Sequence, residues 1–386
     1  MLAPKVNFTP DQFGYYTVGS TFKTYSKLAA IEEMARTGIH LDWNFNREVF
    51  ESYDWKQEPV ESLTELYRQR AQQIRDSYDY VVLFYSGGAD SWNILNTFLS
   101  NNIKIDEIAH CWSLEGDNNY YSYFNEEIYR VAIPNTLRIQ QEHPDINHRI
   151  IDISKIINSM YLDKDTKFDF IYQSNSLLSP NGLARSYLRE HVKDYANLIA
   201  SGKRVAFVWG TEKPRLVIKD GKYACQFVDM FDNTVSNRLQ SIAVDRGYYD
   251  ELFYWSPDAV PIIIKQCHIV KQVLTIGQEN DPWLGQQPTP YGKTKRYSRW
   301  LTNDGLHSLI YPGWNVNTFS NGKNSQPVIG PRDQWFWQQN AHASPGLQVF
   351  RRGIKKIFDT IGPYWYNDST NWKRGLKGCI NEYYIE

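Results

Sequence analysis

Cysteine is scarce in this chain of 386 residues. Cys111, Cys225, Cys267 and Cys379 lie far apart and form no C-x-x-C pair, which excludes a zinc ribbon and a dithiol redox motif. The eight histidines show no H-x-x-x-H or similar ligand spacing, so no structural metal is expected. Residues 1–25 carry no basic-then-apolar leader, and no apolar run approaches the ~20 residues of a membrane span. The net charge is −1, so no global field draws the protein to nucleic acid or to a membrane. Repeats and low-complexity tracts are also missing. The expectation is a soluble, cytoplasmic protein with reduced thiols and no membrane partner.

Aromatic residues, by contrast, are abundant, at 15% with 27 Tyr and 13 Trp. Large cores explain that more simply than a stacking surface for a base or sugar. The length allows one large domain or two or three ordinary ones.

Early order is sparse. Lys23–Arg36 reads as a helix stopped by Gly38, and Asp42–Trp55 reads as packed irregular structure. From residue 60 the pattern sharpens. Ser62 with Glu65 fits a capping box, and Leu63, Leu66, Tyr67, Ile74 and Tyr78 follow at helical spacing. Val81–Phe84 is a short continuous apolar run, as in a parallel strand covered on both faces. Trp92, Leu95 and Leu99 with Ile94 and Phe98 predict a largely buried helix. Ile105–Trp112 is a second strand, Ser122–Gln141 a helix broken or kinked at Pro134, and Arg149–Ile153 a third strand. A helix begins near Ser179 and Pro180 and ends at Gly202, and Val205–Trp209 is a fourth strand. This alternation predicts an α/β fold with an open, mostly parallel sheet and flanking helices.

After residue 215 the rhythm is lost. Lys219–Lys222 carries an Asp-Gly hairpin signal, Ala259–Ile276 reads as a helix despite its β-branched run, and Gly353–Ile361 as a short late helix. Residues 277–346 are rich in Gly, Pro, Asn and Trp, too long for a plain connection. The expected division is an N-terminal helical and irregular segment over 1–60, the α/β domain over 61–275, and an irregular C-terminal lid or acceptor region over 276–386.

The chemistry concentrates in Ser86–Ser91, SGGADS, between the first strand and its helix. Ligands of open α/β sheets bind beyond the carboxyl ends of strands. A helix N-terminus there offers backbone N–H groups and a favourable dipole to an anion. Gly87 and Gly88 permit unusual dihedrals and close approach, Ala89 opens the helix, and Ser86 and Ser91 add hydroxyl donors. A carboxylate at Asp90 would repel a bare phosphate, and makes sense as a ligand of Mg2+ bound to a polyphosphate. A tight strand-to-helix turn capped by Asp or Ser is the bland alternative. Five specified residues recur by chance on the order of once in a few thousand sequences, which favours the functional reading. No Lys follows the glycines, so this is not the loop of γ-phosphate-cleaving NTPases.

SGGADS resembles the S-G-G-x-D-S PP-loop of the ATP pyrophosphatase superfamily, whose members include the synthetase domain of asparagine synthetase, GMP synthetase, tRNA thiolases, lysidine synthetase and PAPS reductases. The stretch from Tyr67–Arg75 (YRQRAQQIR) into YDYVVLFYSGGADS resembles bacteriophage-encoded members, and the resemblance spans about residues 60–270. It implies an adenine nucleotide alpha hydrolase-like fold. It also implies that ATP is cut between its α and β phosphates, with a substrate oxygen adenylated and AMP then displaced by nitrogen or sulfur. PAPS reductases reduce a bound sulfonucleotide instead. In Trp209–Leu216 (WGTEKPRL), after the fourth strand, Gly210 would join the nucleotide site, and Lys213 and Arg215 would steady departing pyrophosphate, unless they are surface charge beside Pro214. Backbone near Cys111 would lie beside adenine, or Cys111 is simply a strand thiol.

The chain also departs from the named enzymes. Residue 2 is Leu, so the N-terminal Cys nucleophile of a glutaminase is missing, and ammonia, another amine or sulfur would need a separate donor. The Glu-Cys-Gly-x-His segment of PAPS reductases and the paired cysteines of thiolases are absent, and Cys379 in KGCINEYY is a poor substitute. Lys293–Trp300 (KTKRYSRW) would grip nucleic acid, close over phosphates, or be a solvated loop. The same holds for Arg351, Arg352, Lys355 and Lys356, while Trp335–Trp337 reads as core. The expected cofactors are ATP and Mg2+. The acceptor, a small molecule or a nucleic acid, stays open, as does the oligomeric state. The alternatives are a PAPS-reductase-like enzyme and a nucleotide-binding module without catalysis.

Overall fold

The computed structural model describes residues 14–24, 27–112, 114, 127–162, 188–210, 215–229, 248–280, 303–314 and 379–386. In chain order its elements are β1 (Tyr15–Val18), β2 (Phe22–Thr24), α1 (Lys27–Thr37), β3 (Leu41–Asn44), α2 (Arg47–Glu51), α3 (Leu63–Ser77), β4 (Tyr80–Phe84), α4 (Ala89–Ser100), β5 (Glu107–Trp112), α5 (Ile133–Glu142), β6 (Asn147–Asp152) and α6 (Ile153–Leu162). There follow α7 (Leu188–His191), α8 (Lys193–Ala200), β7 (Val205–Trp209), β8 (Arg215–Lys219), β9 (Lys222–Val228), β10 (Tyr248–Leu252), α9 (Val260–Asn280), α10 (Asn303–Ile310) and β11 (Ile380–Tyr384).

The centre is a five-stranded sheet in the order β10-β7-β4-β5-β6, parallel at every pairing, with helices flanking it. This is the α/β architecture that the alternation predicts. Val81, Val82, Leu83 and Phe84 of β4 are buried, as a strand covered on both faces requires. The chain runs outward from β4 through β5 to β6, then returns to the other side of β4 for β7 and β10. The direction of winding therefore reverses between β4 and β7, and a crevice is expected beyond their carboxyl ends.

Several local readings hold. Ser62 Oγ accepts from the Glu65 N–H at 3.2 Å, the N-cap half of the expected box. The Glu65 carboxylate turns instead to Arg68 and Gln69. Asp220 and Gly221, both at positive φ, make the two-residue hairpin between β8 and β9. Pro134 does not break its helix. A π turn over Ile128–Ala132 leads into α5 and leaves the proline in the first turn, where its missing N–H costs little.

Other readings are corrected. β10, the fifth strand of the sheet, falls where the sequence rhythm is lost. Its Asp250 and Glu251 are buried through side-chain pairing, so the segment has no apolar run to announce it. The early residues hold a three-stranded antiparallel sheet, β2-β1-β3. Asp42–Trp55 is not irregular but contains the end of that sheet and α2. Four-residue strands are too short to show a period. β8 and β9 join β11 in a third sheet, which Asn381 ties to the N-terminal one by donating to the Trp43 carbonyl at 2.7 Å.

Much of the aromatic excess is core. Phe45, Phe50, Trp55, Phe227, Trp255 and Tyr383 form one cluster, with Trp55 stacked on Tyr383 at 4.5 Å between ring centroids. Pro257–Ile276, within which the sequence reads a helix over Ala259–Ile276, is long and apolar enough to cross a membrane by length and composition. Here Ile262, Ile263, Ile264, Cys267, Val270 and Leu274 bury it in the protein core. The expected helix starts at Pro180 and Gly353, the basic runs at 293–300 and 351–356, and Trp335–Trp337 lie outside the described residues.

Two buried ion pairs tie distant elements together. Lys27 meets Asp229 at 2.7 Å with both side chains essentially inaccessible. Arg70 of α3 meets Glu251 of β10 at 2.7 Å and also donates to the Leu252 carbonyl at 3.0 Å. Tyr78 donates to the same Glu251 carboxylate. Removing one partner leaves the other charge uncompensated. Glu251→Ala should therefore cost about 3–5 kcal/mol, while Arg70→Met with Glu251→Leu should cost clearly less. Chemical denaturation of the two variants checks this, and an unchanged midpoint in Glu251→Ala would contradict it.

Candidate nucleotide site at the sheet crossover

Ser86–Ser91 lies where the sheet reverses, Ser86–Gly88 linking β4 to α4 and Ala89–Ser91 forming the first turn of α4. Gly87 sits at φ +85°, and a Cβ there would stand 2.5 Å from the Glu127 carbonyl oxygen. Only glycine fits on both counts. Gly88, by contrast, is the N-cap of α4 with an extended backbone open to any residue, so just one of the two glycines carries the unusual dihedral.

The serines close the loop on itself. Ser91 Oγ accepts from the Ser86 N–H at 3.2 Å, and the two hydroxyls lie 3.2 Å apart. Ser86 Oγ accepts from the Gly88 N–H at 3.3 Å. Ser91 is buried and Ser86 is exposed, so Ser86 is the one hydroxyl of the pair that faces outward. The N–H groups of Gly87 and Ala89 meet no acceptor among the described residues. They lie at the start of a 12-residue helix, where backbone donors and the dipole favour an anion.

Directly beside the loop, Gly210 follows β7. A Cβ on Gly210 would meet Ser91 N at 2.9 Å, Ser91 Cα at 3.0 Å and the Asp90 carbonyl carbon at 3.1 Å. The two strand ends thus touch backbone to backbone. Beneath them Phe84 and Trp209, partners in the β4–β7 register, stack with ring centroids 3.9 Å apart, and Trp209 Nε1 donates to Asp250 at 2.8 Å. Cys111 lies at the carboxyl end of β5, half-buried, followed by Trp112 stacked on Tyr129 at 5.9 Å. Lys213 lies outside the described residues, and Arg215 opens β8.

Asp90 is the half-buried member, and its surroundings come from far along the chain. Tyr311 donates its hydroxyl to Asp90 Oδ1, and His307 Nε2 stands 3.9 Å from the same oxygen. Tyr254 donates to the Asp90 carbonyl at 2.9 Å and accepts from Asn93 at 3.0 Å. Burial, with the Asp90 charge added, pushes the Tyr311 and Tyr254 hydroxyls well above their ordinary range, so both stay protonated donors. The sequence gives no sign of Tyr254, His307 or Tyr311, which stand 164 and more positions from Asp90. Asn93 did leave a trace, as a polar residue among the buried positions of α4.

The donor set decides what metal could sit here. Among the described residues no group of three His, Cys, Asp or Glu gathers. One carboxylate beside backbone donors does fit Mg2+ carried in on a polyphosphate, because that ion keeps waters and takes few protein ligands.

Behind the loop, His110 Nδ1 donates to the Tyr85 carbonyl at 2.6 Å, and Thr136 Oγ1 lies 3.2 Å from its Nε2. Burial pulls the imidazole down to about 4. Its neutral form therefore stabilises the fold fully above the unfolded value near 6.5, and that contribution is lost as pH falls through 4. The loss is on the order of 3 kcal/mol at most.

Compared with known proteins, the chain matches no family model, and no curated protein or solved structure matches it significantly.

Two outcomes follow from this geometry. Gly210→Ala should push the α4 first turn aside and cost about 1–3 kcal/mol of stability by chemical denaturation, because the obstructing atoms are backbone. An unchanged midpoint would contradict it. His110→Asn should flatten the acid side of the stability profile between pH 6.5 and 4, and a profile identical to that of the parent would remove His110 as its cause.

Proposed function

We propose that the chain is an adenylating ATP pyrophosphatase of the PP-loop type, with an adenine nucleotide alpha hydrolase-like domain, working in the cytoplasm. The observation that carries this reading is the SGGADS loop at the reversal of a parallel sheet, with Gly210 pressed against it. A nucleotide triphosphate lies across the loop. The amides of Gly87 and Ala89, the Ser86 hydroxyl and the α4 N-terminus hold its oxygens. Asp90 would hold Mg2+, which when bound would neutralise charge on the polyphosphate. An acceptor oxygen attacks the α phosphorus, the bond to the bridging oxygen breaks, and pyrophosphate leaves with AMP retained on the acceptor. Lys213 and Arg215 offset charge on the leaving group, Arg as a fork and Lys as a point charge. An amine or a sulfur nucleophile, delivered separately, then displaces AMP.

Cys379 weighs against the PAPS-reductase-like alternative. Its N–H is donated to Asp229, and burial with that carboxylate pushes its thiol far above its ordinary range, the reverse of a reactive thiolate. The carboxylate at Asp90 weighs against a binding module without catalysis, since mere capture of phosphate is better served without it.

The test is the product pair formed from ATP with Mg2+ and an acceptor pool of host-cell extract or nucleic acid. AMP and pyrophosphate should form, and Asp90→Ala should lower their rate about a hundred-fold or more. ADP and phosphate as products, or full activity in Asp90→Ala, would overturn the reading.

A further inference from the structure

We infer that Tyr311 is the positioning residue for the Asp90 carboxylate, making the segment 303–314 a built part of the metal–nucleotide site. This rests on the reading of SGGADS as a nucleotide loop. Three observations carry it. First, the Tyr311 hydroxyl is spent on Asp90 Oδ1, a contact 221 positions apart in sequence. A half-buried aspartate on the first turn of a helix would otherwise turn among several rotamers. One fixed oxygen sets the direction of the whole carboxylate, and a neutral phenol does so without cancelling its charge.

Second, Tyr311 is itself held by packing and by its backbone. Its ring packs against Tyr254 at 5.7 Å and against His307 at 5.4 Å, and His307 in turn meets Trp314 at 5.6 Å. Its backbone N–H bonds the His307 carbonyl at 2.8 Å. Third, the segment is moored to the α/β domain just before Tyr311. Tyr67 of α3 donates to the Ile310 carbonyl at 2.7 Å, and Gln266 of α9 donates to that Tyr67 hydroxyl at 2.7 Å. The moored, fully buried ring is thus a rigid support of the kind that keeps a reacting group within a fraction of an ångström of its working position. Tyr254 fixes the backbone of Asp90 and Tyr311 its side chain.

The probe is Mn2+ with α,β-methylene-ATP, which binds without being cut, followed by electron paramagnetic resonance of the metal and by calorimetry of the nucleotide. The parent protein should bind the analogue more tightly with Mn2+ than without it. Tyr311→Phe keeps the ring and its stacking, and should reduce that metal-dependent advantage about ten-fold while leaving metal-free binding of the analogue unchanged. In an Asp90→Asn background the same Tyr311→Phe change should have no further effect, which a purely structural role would not produce. Equal advantage in parent and Tyr311→Phe would overturn the role of Tyr311 alone. An equal loss in metal-free binding, or a persisting effect in Asp90→Asn, would do the same. No metal-dependent advantage in the parent would overturn the nucleotide-site reading and this inference with it.

Discussion

The backbone contact between Gly210 and the first turn of α4 is the constraint on which the rest of the site depends. Two parallel strands, β4 and β7, run side by side, and their chains leave in opposite directions around the sheet. Their carboxyl ends can approach closely only if one has no side chain at the point of closest approach. Gly210 meets that condition, with Ser91 N and Cα about a methyl group away. At the ends of the two strands, Phe84 and Trp209 are register partners and stack face to face. On the opposite side Gly87 performs the equivalent service against the Glu127 carbonyl. The loop is therefore clamped from both flanks, and its internal serine hydrogen bonds hold the shape that remains.

Clamping matters for the proposed chemistry because a phosphate site made of backbone donors would work only with those donors aimed in advance. A loop free to rearrange would lose that aim. The tyrosine support extends the same principle to a side chain. Tyr67, Tyr254 and Tyr311 bury their rings and turn their hydroxyls to backbone or carboxylate acceptors, so one set of residues contributes both apolar packing and polar orientation. Part of the high tyrosine content thus sits around the site without forming a stacking shelf.

What the sequence reveals follows the range of the interactions involved. The strand–loop–helix unit at 81–100 is legible because its signals are local: an apolar run, two glycines, a helical stripe. Four of the five sheet strands carry the same kind of signal. β10 does not, because its buried carboxylates find partners elsewhere in the chain, Asp250 a hydrogen bond from Trp209 and Glu251 an ion pair with Arg70. The short N-terminal strands fail for lack of length, and β11 lies more than 150 residues from its neighbour β9. The Ser86–Ser91 loop was readable for the same local reason, and in the structure Gly88 caps α4 while the Ser91 hydroxyl accepts from the Ser86 N–H. Tyr254, His307 and Tyr311 were hidden because nothing near them in sequence records that they converge on Asp90. The helix read over Ala259–Ile276 was legible for the local reason as well, its apolar stripe outweighing its β-branched run.

A crystal structure of the protein grown with α,β-methylene-ATP and Mg2+ tests the central claim most directly. The account predicts triphosphate oxygens against the amides of Gly87 and Ala89, between the ends of β4 and β7, with the metal beside Asp90. A nucleotide bound elsewhere on the sheet, or a loop between Ser86 and Ser91 left bare at saturating nucleotide, would contradict it.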